Sequence, residues 1–395
     1  MRSVELFAGA GGLAMGMSRA GFRHAAVVEW DHDSCKTLRH NQSLHADAVA
    51  DWPLFEGDAR AFDYGSIGGD IFVVSGGPPC QPFSMGGKAR GQLDERDMFP
   101  EAVRAVRELQ PKAFIFENVK GLMRETFSSY FEYIHLQLSH PEVMRKPQET
   151  WENHRARLEG HHTAKRARAS YNVVYRLLNA ADYGVPQKRE RVFMVGFRSD
   201  LGARWSFPEP THTEAALLRE QWVTGEYWER HEVARRDRPA LPLRQQGRVE
   251  RLRDAPLFAP TPWATVRDAT RDLPDPEKNP RNTVANHVFI AGARSYSGHT
   301  GSPLDLPAKT LKAGDHGVPG GENMLTRPDG AVRYFTVREA ARLQTFPDDF
   351  VFRGSWSETM RQLGNAVPVR LGEIVAASVA DTLRVLEERD GRRAA

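Results

Sequence analysis

Cysteine is almost missing: the 395-residue chain holds only Cys35 and Cys80. Two thiols make neither a disulfide framework nor a cysteine-rich zinc site. They could pair with each other, but cytosolic disulfides are rare, and nothing directs this chain out of the cytoplasm. The segment Met1-Arg-Ser-Val-Glu-Leu-Phe7 enters an apparent strand at once, leaving no room for a signal peptide. No apolar run approaches the ~20 residues of a bilayer span. The expectation is therefore a cytoplasmic protein with no membrane partner, and a monomer. Lysine is scarce too, at ten of the 54 basic residues, the other 44 being Arg. Arg suits bidentate contacts with phosphate and guanine. A GC-rich genome also raises Arg, and a net charge of +3 is too mild to identify a nucleic-acid partner. There is no internal repeat.

What is present is ordinary in bulk: 40% hydrophobic and 27% charged residues, with length enough for two domains. The mean hydropathy of −0.53 fits a long polar insertion. The organising stretch is Asp70-Ile-Phe-Val-Val-Ser-Gly-Gly-Pro-Pro-Cys-Gln-Pro-Phe-Ser84. Ile71 to Val74 is a short apolar run, the pattern of a strand covered on both faces. Gly76-Gly-Pro-Pro79 must then leave the sheet as a stiff loop, because proline can neither continue a central strand nor enter a helix interior. Cys80 follows directly, at the strand edge where open α/β sheets place their chemistry. By position alone it is a nucleophile or a small buried hydrophobe, and both readings stay open.

Upstream, Ser3 to Phe7 reads as a strand and Ala8-Gly-Ala-Gly-Gly12 as a tight turn. Leu13 to Ala20 reads as a helix stopped by Gly21. A phosphate loop of the Walker type is excluded, because no Gly-Lys-Ser/Thr follows. The next strand, Ala25 to Glu29, ends in an acid roughly 20 residues on, the spacing of a carboxylate that accepts ribose hydroxyls. Trp30 could stack on an adenine or pack in the core, and Asp58 offers a further acid, although Glu29 and Asp58 could instead cap helices. After Cys80, the run Ser84-Met-Gly-Gly-Lys-Ala-Arg-Gly-Gln92 suggests a loop able to close over a polyanion. Lys112 to Glu117 forms another apolar strand that places Glu117-Asn-Val119 at the same sheet edge. Residues 123–168 read as a solvated helical excursion, whose paired His161 and His162 lack partner spacing for a metal; no metal is expected. Tyr171–Tyr175 and Arg191–Gly196 read as paired strands, with Gln187, Arg189 and Arg191 alternating onto one face. Beyond residue 199 the long apolar strands disappear, and a helix at Val337–Gln344, the run Gln362–Pro368 and a final amphipathic helix close the chain.

In this order the stretches resemble the DNA (cytosine-5)-methyltransferase family of bacterial restriction–modification type, nearly end to end. The resemblance rests on Phe7-Ala-Gly-Ala-Gly-Gly12, Glu29-Trp30, Asp58, Gly77-Pro-Pro-Cys-Gln-Pro-Phe-Ser84, Glu117-Asn-Val119, Gln187-Lys-Arg-Glu-Arg191, Thr336–Phe350 and Gln362–Pro368. It implies an α/β fold with a Rossmann-like S-adenosylmethionine-dependent methyltransferase sheet. Residues 1–198, completed by 340–395, would form the catalytic domain, and 199–339 a smaller, irregular target-recognition domain. The cofactor S-adenosyl-L-methionine would lie among Phe7, Gly9, Gly11, Gly12, Glu29, Trp30, Asp58, Pro79, Met98 and Asn365. Cys80 would be the nucleophile, Glu117 the proton donor at the base, Arg191 its orienting partner, and Arg189 or Arg191 the cation that lowers the thiol pKa.

The partner would be double-stranded DNA with a flipped-out cytosine, since the reacting atoms are inaccessible in a duplex. Gln81, Ser84, Lys88 and Arg90 would lie near the DNA, and Arg294, Tyr296, His299, Lys309, Lys312 and His316 are further contacts to test. In a restriction–modification setting a restriction endonuclease acting on the same site would accompany such a protein in the nucleoid; a solitary methyltransferase fits the sequence equally. An RNA methyltransferase of the same fold is the competing reading. A nicotinamide oxidoreductase would leave the Pro-Pro-Cys loop unexplained, and a non-catalytic DNA-binding module would leave the filled catalytic positions unexplained.

Overall fold

Strand β1 (Arg2–Leu6) is paired in parallel on both sides, with β2 (Arg23–Glu29) and with β4 (Val73–Gly76). The computed structural model describes residues 1–79, 97–164, 170–254, 261–297, 299–313 and 323–394. Around β1 it builds a seven-stranded sheet in the order β3-β2-β1-β4-β5-β7-β6. Here β3 is Leu54–Glu56, β5 Ala113–Val119, β6 Tyr171–Asn179 and β7 Glu190–Arg198. β7 runs antiparallel to both β5 and β6, as expected for the paired strands read in the sequence. The chain leaves β1 toward β2 on one side and returns as β4 on the other. That reversal opens a crevice above the carboxyl ends of β1 and β4.

Alternation along the buried strands assigns the two faces. Phe114 and Phe116 of β5 join Val4, Leu6 and Val74 on the face covered by α3 (Phe99–Leu109). Ala113 and Ile115 join Val73 on the face covered by α1 (Gly12–Arg19) and α12 (Val369–Ala394). Each such aromatic or aliphatic side chain contributes about 1.5–3 kcal/mol on burial. The α1–α12 contact depends on missing side chains: a Cβ on Gly16 would lie 2.5 Å from the backbone nitrogen of Glu373. Gly21 takes the left-handed conformation after α1 (φ +91°), as its stop position requires.

Two sequence expectations need correction. The apolar run at 71–74 is displaced from the ladder, which occupies Val73–Gly76 and so reaches the Gly-Pro-Pro loop itself. Second, the excursion at 123–168 is only partly solvated. Its first half is α4 (Ser128–Ser139), whose Tyr130, Phe131, Ile134 and Leu138 are buried in the same core as β5. α5 (Trp151–Thr163) reaches this core only through Leu158, with Trp151 packed against it, and otherwise buries only His154. The aromatic spacing in α4 carried that signal, diluted by the polar residues after it.

Between β7 and the C-terminal helices the elements are short, as the composition implied. They are α6 (Glu214–Arg219), α7 (Glu226–Arg230), α8 (Gln246–Arg253) and α9 (Val266–Thr270), the strand pair β8 (His212–Thr213) and β9 (Thr261–Pro262), and the small sheet β10 (Ser302–Pro303), β11 (Met324–Thr326) and β12 (Val332–Tyr334). A local core holds Tyr227, Trp228 and Trp263. Val266, Ala308 and Leu325, however, share a core with Val27 and Leu38 of the sheet domain and with helices α2 (His32–Ser43), α10 (Val337–Leu343) and α11 (Trp356–Asn365). Among the described residues no helix is long and apolar enough to cross a membrane.

The glycine contacts make a stability contrast. Gly16→Ala must push α1 off α12 and is expected to cost about 1–3 kcal/mol. Gly160→Ala in α5 meets no atom within 4 Å and should be neutral or stabilise by about 0.5–1 kcal/mol. Urea unfolding midpoints of the two variants measure the difference.

Candidate active site and cofactor pocket

The loops after β1, β2 and β4 converge on the crevice. Phe7 ends β1 in the left-handed region (φ +55°), a conformation that costs a bulky residue roughly 1–2 kcal/mol. Glu29 ends β2, buried, and its carboxylate accepts the Gly9 N–H at 2.6 Å and the Asp31 N–H at 2.7 Å. Burial pushes its pKa up while these N–H groups oppose the shift. Phe7, Glu29, Trp30, Asp58, Pro79 and Met98 line one cavity of about 200 Å³, joined by Val28, Gly57, Ala59 and Arg60. Trp30 is 72% exposed, so it is no core filler. An aromatic face, a strand-end carboxylate and an apolar floor fit the adenosine end of a nucleoside cofactor.

The remaining expected cofactor residues divide. A Cβ on Gly9 would meet nothing within 4 Å, so this residue borders open space. Gly11 instead makes room for Trp52, 2.8 Å from its notional Cβ, and Gly12 for the Val367 carbonyl at 2.2 Å. Asn365 is exposed at the end of α11 and is not among the residues lining this cavity. Asp58 also performs the capping role considered for it, accepting the Arg60 N–H at 2.9 Å. Glu29 does not cap α2; Asp31 does, through the Ser34 N–H at 2.8 Å.

Beside this cavity the β4 loop is fastened to the end of β5. Asn118 Nδ2 donates to the Pro78 carbonyl at 2.9 Å, and the Met98 N–H donates to the Pro79 carbonyl at 3.0 Å. Gly77 leaves its notional Cβ 3.3 Å from Glu117 Oε2, so a side chain there would press on the carboxylate. Glu117 is 7% exposed. Arg191 is its diagonal neighbour across the β5–β7 ladder, and Nε lies 2.8 Å from Oε1. The N–H is out of line, however, and Oε1 has no hydrogen-bond donor. Burial raises the Glu117 pKa; the Arg191 and Arg189 charges pull against it. A buried, raised carboxyl with an unmet oxygen beside a cation is suited to hold and donate a proton.

Cys80, Gln81, Ser84, Lys88 and Arg90 lie outside the described residues, as does His316. Cys35 is buried with its thiol against the Glu29 carbonyl, and burial pushes its pKa up to about 12, so it is no nucleophile. Arg294, Tyr296 and Lys312 are exposed; the Tyr296 ring lies 4.4 Å from that of His299, and Lys309 donates to Thr300.

Arg189 takes a different place from the one its motif suggested. It is fully buried, and its guanidinium donates to the carbonyls of Leu311 (3.1 Å), Gly364 (2.7 Å) and Ala366 (2.8 Å). These bonds make it a staple between distant segments. Gln187 extends the staple: its amide donates to Leu343 and Gln344 and accepts the Leu311 N–H, while Gln344 donates to Leu363 at 2.6 Å. Alternation alone could not separate Arg189 from Arg191. A second unanticipated pair is Glu5 and Ser75, in register between β1 and β4, where the Ser75 hydroxyl donates to the buried Glu5 carboxylate. Burial raises Glu5 to a pKa of about 8.

Arg189→Met takes away the Arg donors of the Leu311 and Gly364 carbonyls and leaves Ala366 only its 3.3 Å bond from Gln344; it is expected to lower stability by about 2–5 kcal/mol, read as a lower thermal midpoint, whereas Arg191→Met should lose activity with a smaller midpoint change. For Glu5, the folded pKa lies above the unfolded value near 4.5. Its contribution is fully present below about pH 4.5 and is lost as pH rises through about 8. Glu5→Gln should flatten the loss of stability over that window, measured as urea midpoints at acid, neutral and alkaline pH.

The family model described as C-5 cytosine-specific DNA methylase matches residues 1–141 and 161–381. The type II methyltransferase M.NgoMIV of Neisseria gonorrhoeae is 31% identical over 388 residues, covering 97% of this chain and 98% of its own. The type II methyltransferase M.Eco47II of Escherichia coli is 30% identical over 400 residues, covering 98% and 80%. Among solved structures, an E. coli prophage-encoded chain, a candidate DNA modification methyltransferase, superposes with a TM-score of 0.58 at 22% identity, covering 97% of this chain and 99% of its own. The sheet, the cavity and the Glu117–Arg191 pair thus occur in a chain that belongs to the C-5 cytosine-specific DNA methylase family, the enzymes that methylate DNA cytosine at C5.

Proposed function

We propose that the protein is a site-specific methyltransferase acting on one cytosine of duplex DNA within a restriction–modification system, through a covalent bond between Cys80 and C6 of the flipped base. The observation that carries this reading is the buried Glu117–Arg191 pair, held under Gly77 and beside the Phe7–Trp30–Met98 cavity. S-Adenosyl-L-methionine, when bound, supplies an electrophilic methyl group. The cavity residues and Gly9 would hold its adenosine end, with Glu29 and Asp58 offered to the ribose.

Cytosine C5 is a weak nucleophile until a thiolate adds to C6 and turns the ring into an enamine. A free thiol with pKa about 8.5 is only a few per cent ionised at neutral pH, so the Arg191 cation would assist Cys80. Glu117, its affinity for a proton raised by burial, would donate to N3 as negative charge develops there. Arg191 would hold O2 and keep Glu117 oriented. Loss of the C5 proton then expels the thiolate and restores the ring. Flipping the base costs a few kcal/mol, which Gln81, Ser84, Lys88 and Arg90 would help offset at the backbone. We place the catalytic domain at 1–198 with 340–395 and target recognition at 199–339, where Arg294, Tyr296, His299, Lys309, Lys312 and His316 are candidate contacts. Double-stranded DNA is the partner, with a cognate endonuclease sharing the site. The match of the type II relatives over almost the whole chain supports that setting.

Purified protein should transfer labelled methyl to duplex DNA and yield 5-methylcytosine at one sequence context, mapped by bisulfite sequencing of host DNA. Cys80→Ser should abolish transfer, and Glu117→Gln should reduce it by about 10²–10⁴-fold. Methylation by Cys80→Ser protein would remove the nucleophile assignment. Product at N4, or in RNA alone, would remove the substrate assignment.

A further inference from the structure

The segment 142–160, which the family model skips, is closed at its base by titratable side chains that the methyl-transfer site does not use. His140 caps the end of α4, Glu142 follows two residues later, and His161 lies in the last turn of α5. One ligand atom from each lies within 4.8 Å of the others. His140 Nδ1 is 3.5 Å from Glu142 Oε1, and His161 Nε2 is 3.9 Å from the same oxygen.

The orientation of His140 supplies a second observation. Its side chain is fully buried, and Nδ1 has no hydrogen-bond partner. Its other nitrogen, Nε2, lies 2.8 Å from His162 Nδ1. A buried ring nitrogen without a partner costs about 1–3 kcal/mol. That cost disappears if Nε2–H donates to His162 and the Nδ1 lone pair binds a cation. Metal-bound histidines commonly anchor their second nitrogen in this way. Glu142 is prepared similarly: the Ser170 hydroxyl donates to Oε2 at 2.8 Å, while Oε1 is the oxygen near both histidines.

We propose that His140, Glu142 and His161 bind one divalent transition-metal ion of the zinc type, which ties the end of α4 to α5 and closes the base of the 142–160 segment. Two imidazoles and a carboxylate with a fourth position for water form a known zinc donor set. Bond lengths of about 2.0–2.2 Å require these atoms to approach by up to roughly an ångström. Glu142 and His161, whose side chains are 48% and 41% exposed, can make that movement. The sequence reading dismissed the His161–His162 pair for want of partners; the fold supplies them from the end of another helix.

The test uses the untagged full chain, stripped with EDTA and titrated calorimetrically with ZnCl2, with CoCl2 absorbance reporting tetrahedral geometry. Binding of one ion per chain is expected, with a rise of several degrees in thermal midpoint at saturating zinc. Glu142→Gln and His161→Ala, both at exposed positions, should each weaken binding at least tenfold and abolish the midpoint rise without changing the metal-free midpoint. No stoichiometric binding at micromolar zinc, or less than tenfold weakening in either variant, overturns the proposal.

Discussion

The buried guanidinium of Arg189 is the constraint on which the rest of the molecule depends. It holds carbonyls 122, 175 and 177 residues further along the chain. A fully buried cation is costly unless most of its donors are met; the segments around Leu311 and Gly364 meet both terminal nitrogens of Arg189, and only Nε is left without a partner. Gln187 and Gln344 complete the same junction. The notional Cβ of Gly364, 2.3 Å from the Ala313 nitrogen, shows how closely the backbones cross there. The segments around Leu311 and Gly364 are thereby fixed beside the strand that carries Arg191.

That junction explains why neighbouring arginines have unrelated duties. Arg189 points into the closure between segments, while Arg191, two residues on and in β7, meets Glu117 of the adjacent strand. Similarly, the three glycines after β1 serve three purposes. Gly9 borders the cavity, Gly11 admits Trp52, and Gly12 admits the carbonyl of Val367. A motif that reads as one binding loop is partly a packing device joining the N-terminal unit to the end of the chain. The interleaving follows from the topology: α12 covers the face of the sheet that α1 begins.

Electrostatics at the crevice follow burial more than charge. Glu5, Glu29 and Glu117 all have raised pKa values, and desolvation is the leading cause in each. Only Glu117 has a cation beside it, which keeps the carboxyl oriented without cancelling its affinity for a proton. Glu29 is held by backbone N–H groups and organises the Gly9 loop. Three acids within one sheet therefore differ by their partners: a hydroxyl, two amides and a guanidinium.

The sequence by itself determined the alternating α/β order, the strand-end positions of Glu29 and Glu117, the stiff Pro78–Pro79 loop and the family. These are local patterns, legible because apolar runs, prolines and motif spacing act over a few residues. Only the tertiary structure decided that Arg189 is a staple, that α4 is core, that Gly12 is a contact to Val367, and that His140 and Glu142 meet His161. Each of those depends on which distant backbone or side chain arrives opposite. A single sequence holds no local signal for a contact between separate elements, nor for the burial that turns an ordinary carboxyl or imidazole into a poised one.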